Sequence, residues 1–192
     1  MSIAQKLYEE GHITYHRTDS LNLAQSALVS AKEFITGKFG KNYWSGIKYK
    51  TKDNSAQEAH EAIRPTFADK TPETLKGIDP KQLKLYTLIW QRFIACQMTS
   101  AIFDSVAADI KAGKYTFRAT GQTLKFDGFL KVYPTRFQET DLPDLVEKDK
   151  LDFVKLNSDQ HFTEPPARYN EASLIKTLEK FGIGRPSTYA PT

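Results

Sequence analysis

The sequence is poor in the residues that make covalent or metal crosslinks. It contains a single cysteine, Cys96, and four histidines among 192 residues. One cysteine excludes an internal disulfide, and no group of cysteines and histidines has the spacing of a zinc site. Cys96 lies within an apolar helical pattern, so we expect it in the core.

Long apolar runs are missing as well. No stretch approaches the ~20 apolar residues that span a membrane, and the N-terminus has no signal-peptide pattern. We therefore expect a cytoplasmic protein with no membrane partner. The composition, 40% hydrophobic and 26% charged over 192 residues, is typical of a globular protein with one good core or two small ones.

The charge balance is basic but only slightly so. There are 27 lysines and arginines against 23 acidic residues, which gives a net charge of +4 and a pI near 9.0. A basic balance fits a nucleic-acid partner, although many basic proteins bind none. The charge therefore supports a nucleic-acid function only if other residues indicate it.

The stretch from Ile13 to Ser20 has the residues needed to attack a phosphodiester. A tyrosine has a pKa of about 10, so as a nucleophile Tyr15 needs nearby positive charge. In an extended backbone Arg17 projects to the same face, where its guanidinium can hold phosphate oxygens, while His16 faces away. Alternatively, Tyr15 is a strand aromatic beside a surface arginine, and Asp19 or Ser20 only caps the next helix.

A second group of candidate residues surrounds His60. Ser55 and Glu58 have the spacing of a capping box, which predicts a short helix up to Pro65. On that helix His60 and Arg64 would lie one turn apart, both able to donate to phosphate. His60 can also move a proton near pH 7, and a structural role is the alternative for Arg64.

Hydrophobic periodicity predicts the architecture. Helices are indicated over residues 3 to 9, from Asp19 or Ser20 to Gly37, and after Asp79-Pro80. The last of these presents an apolar face, made by Leu85, Leu88, Ile89, Phe93 and Cys96.

The pattern then changes to alternation. Residues 102 to 133 and 151 to 156 read as antiparallel strands, with turns at Gly113, Gly121 and Asp127-Gly128. Asn170 caps a final helix that ends at Gly182. We predict an α+β fold in three parts: a mostly helical domain with Tyr15 over residues 1–100, a β segment over 101–163, and the start of a further helical domain over 164–192.

The C-terminal part carries phosphate-binding ingredients of its own. The run from Gly184 to Thr188 offers small residues, the guanidinium of Arg185, two hydroxyls and the expected start of another helix. An ordinary turn between helices, with an exposed arginine, explains the same residues.

The exact string Tyr15-His16-Arg17-Thr18-Asp19-Ser20 resembles the active-site motif of the bacterial type IA DNA topoisomerases. Other stretches resemble the same family in the same order along nearly the whole chain: residues 4–9, Gln57 to Pro65, Ala95 to Thr99, Phe126 to Gly128, Pro165 to Arg168, Glu171 to Leu174, and Gly182 to Tyr189. The family motif often has methionine where this chain has His16, a departure that fits a side chain facing away from the phosphate.

The resemblance implies a toroidal core in which Tyr15 forms a transient 5′-phosphotyrosyl bond, a second strand passes through the gap, and the strand is resealed, which relaxes negative supercoils. Arg17 and His60 would be catalytic, and Arg64, Arg168, Lys176, Arg185, Ser187 and Thr188 would contact single-stranded or negatively supercoiled DNA. Asp19 and Glu171 would have supporting roles. Helix capping and ordinary surface pairing explain Glu171 and Lys176 equally well.

The family's magnesium-binding acidic lobe should precede the tyrosine, yet only fourteen residues do so. We therefore expect a fragment without a metal site of its own, whose Mg²⁺ is bound by an absent N-terminal acidic domain. Relaxation would belong to the parent protein, with both its acidic and C-terminal lobes. The alternatives are a non-catalytic module that binds single-stranded DNA, using Tyr15 for stacking, and a tyrosine recombinase. The latter is disfavoured because its nucleophile follows its basic partners in the chain.

Overall fold

The computed structural model describes residues 1–49, 60–189 and 192. It contains the predicted combination of helices with an antiparallel strand pair, an α+β fold. The helices are α1 (Ser2–Glu9), α2 (Gln25–Lys38), α3 (Pro80–Gln97) and α4 (Glu171–Lys180), and the strands are β1 (Ile102–Ala112) and β2 (Tyr115–Phe126). Short 3₁₀ turns occupy Lys41–Tyr43, Pro72–Thr74 and Gly128–Lys131.

The chain forms two compact units that are not consecutive in sequence. The first unit comprises Met1–Asp104 and Thr123–Glu139, and the second comprises Ser105–Gln122 and Thr140–Thr192. The strand pair contributes its base to the first unit and its tip to the second. The three-part division at residues 100 and 163 stays a prediction.

Helix α3 is the centre of the first unit. Its start is the predicted one: Asp79 Oδ1 accepts a hydrogen bond from the backbone N–H of Lys81 at 2.8 Å, and Pro80 follows it directly. The predicted apolar face is partly wrong, because Leu88 is 48% exposed. The buried face is rotated toward Tyr86, Trp90 and Ile94.

The core packs α1 and α2 against α3. Its buried side chains come from all three helices, from the loops that join them, and from single positions after α3 and after the last 3₁₀ turn: Leu7, Ile13, Ala27, Ala31, Ile35, Ala68, Tyr86, Trp90, Phe93, Ile94, Met98 and Val132. The polar atoms of the buried aromatics are paired, since Trp90 Nε1 donates to the carbonyl of Ala68 at 2.9 Å. Cys96, predicted in the core, is half-buried at its edge, and burial raises the pKa of its thiol.

Helix α2 begins later than predicted. Its N-cap is Ala24, so Asp19 and Ser20 lie upstream of the helix and do not cap it. The hydroxyl of Ser20 instead accepts the N–H of Asn22 at 3.2 Å within the loop. At the other end, the helix continues through Gly37 to Lys38 because a single glycine weakens a packed helix without ending it.

The strand pair is joined at Gly113, whose φ of +61° suits the predicted turn. Gly121, also predicted to turn, lies within β2. A Cβ at Gly121 would approach the carbonyl oxygen of Thr140 to 2.9 Å, so this glycine permits close packing. Gly128, predicted with Asp127 to form a turn, starts a 3₁₀ turn at a φ of +48°.

The C-terminal part of the second unit has one regular element among its described residues. The predicted strand over 151–156 is wrong: Phe153 and Val154 are 81% and 91% exposed, and no neighbouring strand pairs with them. Helix α4 has its predicted capping residue, since Asn170 Oδ1 accepts the N–H of Ser173 at 2.8 Å. The further helix expected after Pro186 is absent up to residue 189, where turns are found.

Within the described ranges, none of the helices has the length and apolar character needed to cross a membrane.

Candidate active site

Two chain segments of the first unit are joined by backbone and hydroxyl hydrogen bonds, and this pairing places Tyr15 and His60. The N–H of Thr14 donates to the carbonyl of Arg64 at 2.9 Å, and the N–H of Arg64 donates to Thr14 Oγ1 at 2.9 Å. Thr14 Oγ1 donates in turn to the carbonyl of Ala62 at 2.8 Å. The N–H of Thr66 donates to the carbonyl of His12 at 2.9 Å. Residues 12–14 and 62–66 are therefore held side by side.

Tyr15 lies at the surface among other aromatic rings. Its side chain is 38% exposed. The ring meets those of Tyr8 and His60 edge-on, with centroids 5.4 Å and 5.6 Å away and interplanar angles of 70° and 74°. The Tyr15 hydroxyl makes no hydrogen bond with any described residue, nor does the buried Nδ1 of His60. The ring of Tyr15 thus packs against two neighbouring rings, and its hydroxyl has no hydrogen-bond partner among the described residues.

Arg17 is exposed, and its guanidinium forms neither a hydrogen bond nor an ion pair within the described part of the chain. The loop that carries it is fixed by buried hydroxyls, since Thr18 Oγ1 accepts the N–H of Ser20 at 3.0 Å. None of the five donors of the guanidinium is engaged by a residue in the described ranges, and each can bind an anion. Asp19, the predicted supporting residue, is half-buried in the same loop.

His16 is the buried residue between the two exposed ones. The predicted extended segment is wrong in detail, because the backbone bends at Thr14, His16 and Arg17. The alternation survives: Tyr15 and Arg17 are exposed, whereas His16 is only 6% exposed. Burial, and then the charge of Arg17, lower the pKa of His16. The imidazole is accordingly neutral at pH 7.

The predicted helix around His60 is corrected by the structure. Residues 60–64 are irregular, so His60 and Arg64 do not share a helical face. The proposed capping pair, Ser55 and Glu58, lies outside the described residues. These residues are not helical because their backbone groups form hydrogen bonds with other segments. The N–H of Ala62, for example, donates to the carbonyl of Asn22 at 2.8 Å.

Arg64 is occupied by its own surroundings. Its Nε and Nη2 donate to the two carboxylate oxygens of Glu61 at 2.6 Å and 2.9 Å, and Nη1 donates to the carbonyls of Pro65 and Thr66. Glu61 also accepts the N–H of Ala24 at 2.8 Å, which ties the segment to the start of α2. This geometry favours the structural alternative for Arg64 over a phosphate contact.

The pKa of Glu61 reflects these bonds. Partial burial acts to raise it, but the hydrogen bonds from Arg64 and Ala24 outweigh burial and lower the pKa below its ordinary value. Glu61 is therefore ionised in the folded protein at neutral pH. The sequence did not single out Glu61 or the supporting ring of Tyr8, since the bond from Ala24 to Glu61 and the packing of Tyr8 on Tyr15 depend on how the segments fold.

The remaining predicted DNA contacts belong to the second unit. Arg168 precedes α4 in an exposed irregular segment, and Glu171 and Lys176 lie exposed on α4. Beyond the helix, Arg185 is exposed, and its backbone N–H donates to Thr188 Oγ1 at 2.8 Å. The Thr188 hydroxyl therefore shapes this turn, whereas the neighbouring Ser187 is exposed.

A metal site was not expected in this chain, and the ranges 1–49 and 60–189 hold no group of three or more histidine, cysteine or carboxylate side chains suited to a metal ion. Their residues do not fit a magnesium site.

Comparison with known proteins identifies the family. A family model described as DNA topoisomerase matches residues 1–192. The chain is 50% identical to DNA topoisomerase 1 of Pseudomonas aeruginosa, covering 99% of this chain and 22% of the relative. It is 50% identical to DNA topoisomerase 1 of Helicobacter pylori strain 26695, covering 100% of this chain and 28% of the relative. It is 51% identical to DNA topoisomerase 1 of Escherichia coli K12, covering 99% of this chain and 22% of the relative.

Among solved structures, full-length topoisomerase I from Thermotoga maritima matches with a TM-score of 0.79 and 35% identity, covering 100% of this chain and 32% of that one. The chain spans about a quarter of the length of the curated relatives it matches. The match of the whole chain to the family model, together with the shared fold, shows that this chain belongs to the bacterial type IA DNA topoisomerases.

Proposed function

We propose that Tyr15 is the nucleophile with which the longer protein transiently cleaves one DNA strand. The phenolic oxygen bonds to phosphorus as the bond from phosphorus to the 3′ oxygen breaks. A 5′-phosphotyrosyl link and a free 3′ hydroxyl result. The phenol loses its proton and the departing 3′ oxygen gains one, so the step balances, and its reversal reseals the strand.

The observation that carries this proposal is the arrangement around Tyr15. Tyr15 is exposed, its hydroxyl has no partner among the described residues, and its ring is fixed by Tyr8 and His60. Arg17 follows two residues later and is likewise unpaired within the described ranges. A fixed phenol and a guanidinium on the same loop supply the nucleophile and the positive charge that an in-line attack on a phosphate needs.

Each neighbour has a proposed role. Arg17 holds non-bridging phosphate oxygens and neutralises the charge that develops at phosphorus. His60 contacts the scissile phosphate or moves a proton there, and its ring lies 5.6 Å from that of Tyr15. Asp19 supports the loop between Tyr15 and α2.

Further roles concern DNA binding by the second unit and the activity of the full-length protein. We propose that Arg168, Lys176, Arg185, Ser187 and Thr188 contact the backbone of single-stranded or negatively supercoiled DNA, with support from Glu171. Arg64 is left out of this group because Glu61 and two carbonyls engage its donors. Strand passage, relaxation of negative supercoils and the use of Mg²⁺ are proposed for the full-length protein, and we expect no relaxation by this chain alone. We propose the cytoplasm as the location of the protein.

The test is covalent trapping on end-labelled single-stranded DNA. The chain is incubated with DNA and Mg²⁺, with and without the acidic N-terminal domain of a relative, then denatured and resolved by electrophoresis. We expect a denaturant-resistant adduct with the wild type plus the added domain, and none with Tyr15→Phe. Tyr8→Phe is the matched control, because Tyr8 is a neighbouring tyrosine that is 40% exposed.

The alternative is a non-catalytic module that stacks bases on its exposed aromatic rings. It is favoured by the exposure of Tyr8 and Tyr15, 40% and 38%. The same experiment separates the two functions. Normal DNA binding without an adduct, although the added domain is functional, would refute the nucleophile and support the binding module.

A further inference from the structure

The first unit contains a pocket that has no part in the proposed chemistry at Tyr15. It has a volume of about 230 Å³ and lies between the segment that follows α1, residues 66–76 and the side of α3. Its lining includes His12, Phe67, Lys70, Lys76 and Tyr86, with no carboxylate among the lining residues. The lining itself therefore carries the two positive charges of Lys70 and Lys76 at neutral pH and no negative charge.

The two lysines are available to a ligand. Both are exposed, and neither ammonium group makes a hydrogen bond or ion pair with a residue in the described ranges. Acidic groups lie near the pocket without bonding to either lysine: Glu10 Oε2 accepts a hydrogen bond from Gln82 at 2.8 Å and lies 3.8 Å from His12 Nε2, and Glu73 is bonded to Thr71. Two free ammonium groups at one pocket attract an anion, and phosphate is the anion that lysine commonly binds.

The aromatic residues give the pocket a second property. Phe67 is 57% exposed at its rim, although burial would be favourable for a phenylalanine. Tyr86 forms the floor; it is 1% exposed, and its hydroxyl donates to the carbonyl of Lys70 at 2.6 Å. That hydrogen bond fixes the backbone of Lys70, so the lysine is held beside the cavity. An exposed ring next to free cations is the combination that binds a nucleic-acid base together with its phosphate.

The pocket also lies close to Tyr15 along the chain. His12, which lines it, is three residues from Tyr15, so their Cα atoms are at most about 11 Å apart. The hydrogen bond between the N–H of Thr66 and the carbonyl of His12, 2.9 Å, keeps the two walls together. A short nucleic-acid strand can therefore reach both places.

We propose that this pocket binds a nucleoside 5′-phosphate, either free or as one unit of a single DNA strand. Lys70 and Lys76 contact the phosphate, and Phe67 stacks on the base. The site is separate from the proposed nucleophile and stands whether or not Tyr15 forms an adduct.

The test is a ¹H–¹⁵N NMR titration of the 192-residue chain with thymidine 5′-monophosphate, inorganic phosphate, thymidine and a five-nucleotide oligothymidylate. We expect shifts at His12, Phe67, Lys70 and Lys76, with the monophosphate binding at least several-fold more tightly than phosphate or thymidine. If the oligonucleotide binds more tightly still at the same residues, the ligand is a strand; if it binds no more tightly, the ligand is the free nucleotide.

The variant Lys70→Gln/Lys76→Gln should weaken monophosphate binding about tenfold, since both charged contacts are lost. Lys32→Gln/Lys84→Gln is the matched control, because it removes the same charge from exposed helical positions outside the pocket. Phe67→Ala should reduce the preference for the nucleotide over inorganic phosphate.

Three results would overturn the proposal: no monophosphate-induced shifts at the four pocket residues, equal affinity for the monophosphate and phosphate, or equal losses in the two double variants. Tyr15→Phe should bind the monophosphate like the wild type. A failure of the nucleophile therefore leaves this measurement unaffected, and the two proposals fail independently.

Discussion

Replacing Arg64 by methionine should destabilise the first unit more than the loss of an exposed ion pair does. The Arg64 and Glu61 side chains are only 12% and 26% exposed, and Glu61 also holds the N–H of Ala24. The substitution leaves a poorly hydrated carboxylate with one hydrogen bond and two carbonyls without their donor. Unpaired groups of this kind cost about 1–3 kcal/mol each when fully buried. Partial exposure reduces the sum to about 3 kcal/mol.

The pH dependence gives a sharper form of this prediction. In the wild type the folded-state pKa of Glu61 is lowered, so its stabilisation is present above the ordinary value near 4.5 and is lost as pH falls through the lower, folded value. Without the guanidinium, burial remains and raises the pKa instead. The carboxyl group then becomes protonated more readily in the folded state. The deficit of Arg64→Met should therefore shrink between pH 7 and pH 3.

The assay is urea unfolding followed by tryptophan fluorescence at several pH values. Both tryptophans of the chain, Trp44 and Trp90, belong to the first unit, so the signal reports its unfolding. The control is Lys125→Met, which removes the exposed pair with Asp104 at 3.4 Å and should cost less than about 1 kcal/mol. Equal losses in the two variants, or a deficit for Arg64→Met that does not change with pH, would refute the reasoning.

Two further predictions concern buried backbone contacts. The pKa of Tyr86 is raised to about 12, mainly by burial, so stability should fall between pH 10 and 12, because the unfolded tyrosine loses its proton first. Tyr86→Phe, which removes the hydrogen bond to Lys70, should lessen this decline, and the ultraviolet titration of the wild type minus that of Tyr86→Phe should have its midpoint well above pH 10. A difference curve with its midpoint near pH 10 would contradict the prediction. Gly128→Ala should lower the free energy of unfolding in urea by about 2–4 kcal/mol, because the new Cβ would lie 2.5 Å from the carbonyl oxygen of Thr99. The control, Gly77→Ala, has open space around its Cβ and should cost only about 1 kcal/mol for its positive φ of +75°. Similar costs for the two variants would show that the contact at Gly128 relaxes.

Local signals in the sequence were sufficient for the elements that depend on them. Asp79-Pro80 and Asn170 cap α3 and α4 as predicted, because a cap is decided by the few residues around a helix start. The alternation after residue 102 became the strand pair with its turn at Gly113, since the period of two is a property of the segment itself. The resemblance around Tyr15 was likewise carried by consecutive residues, and the family match confirms it.

Predictions failed where a distant partner decided the outcome. The run 151–156 has strand character, but a strand needs a neighbour, and none pairs with it. Residues 60–64 read as a helix, yet their backbone groups bond to Thr14 and Asn22 instead. The helix expected at Ser20 begins at Gln25, because the hydroxyls of Thr18 and Ser20 close the loop on itself.

The sequence by itself determined the chemistry that is available: a tyrosine, an arginine two residues on, and a histidine further along the chain. Only the tertiary structure decided which groups meet. It brought His60 to the edge of Tyr15, left Arg17 free among the described residues, and engaged Arg64 with Glu61. The physical reason is that residue types fix what a side chain can do, whereas packing and long-range hydrogen bonds fix which of its donors are left to do it.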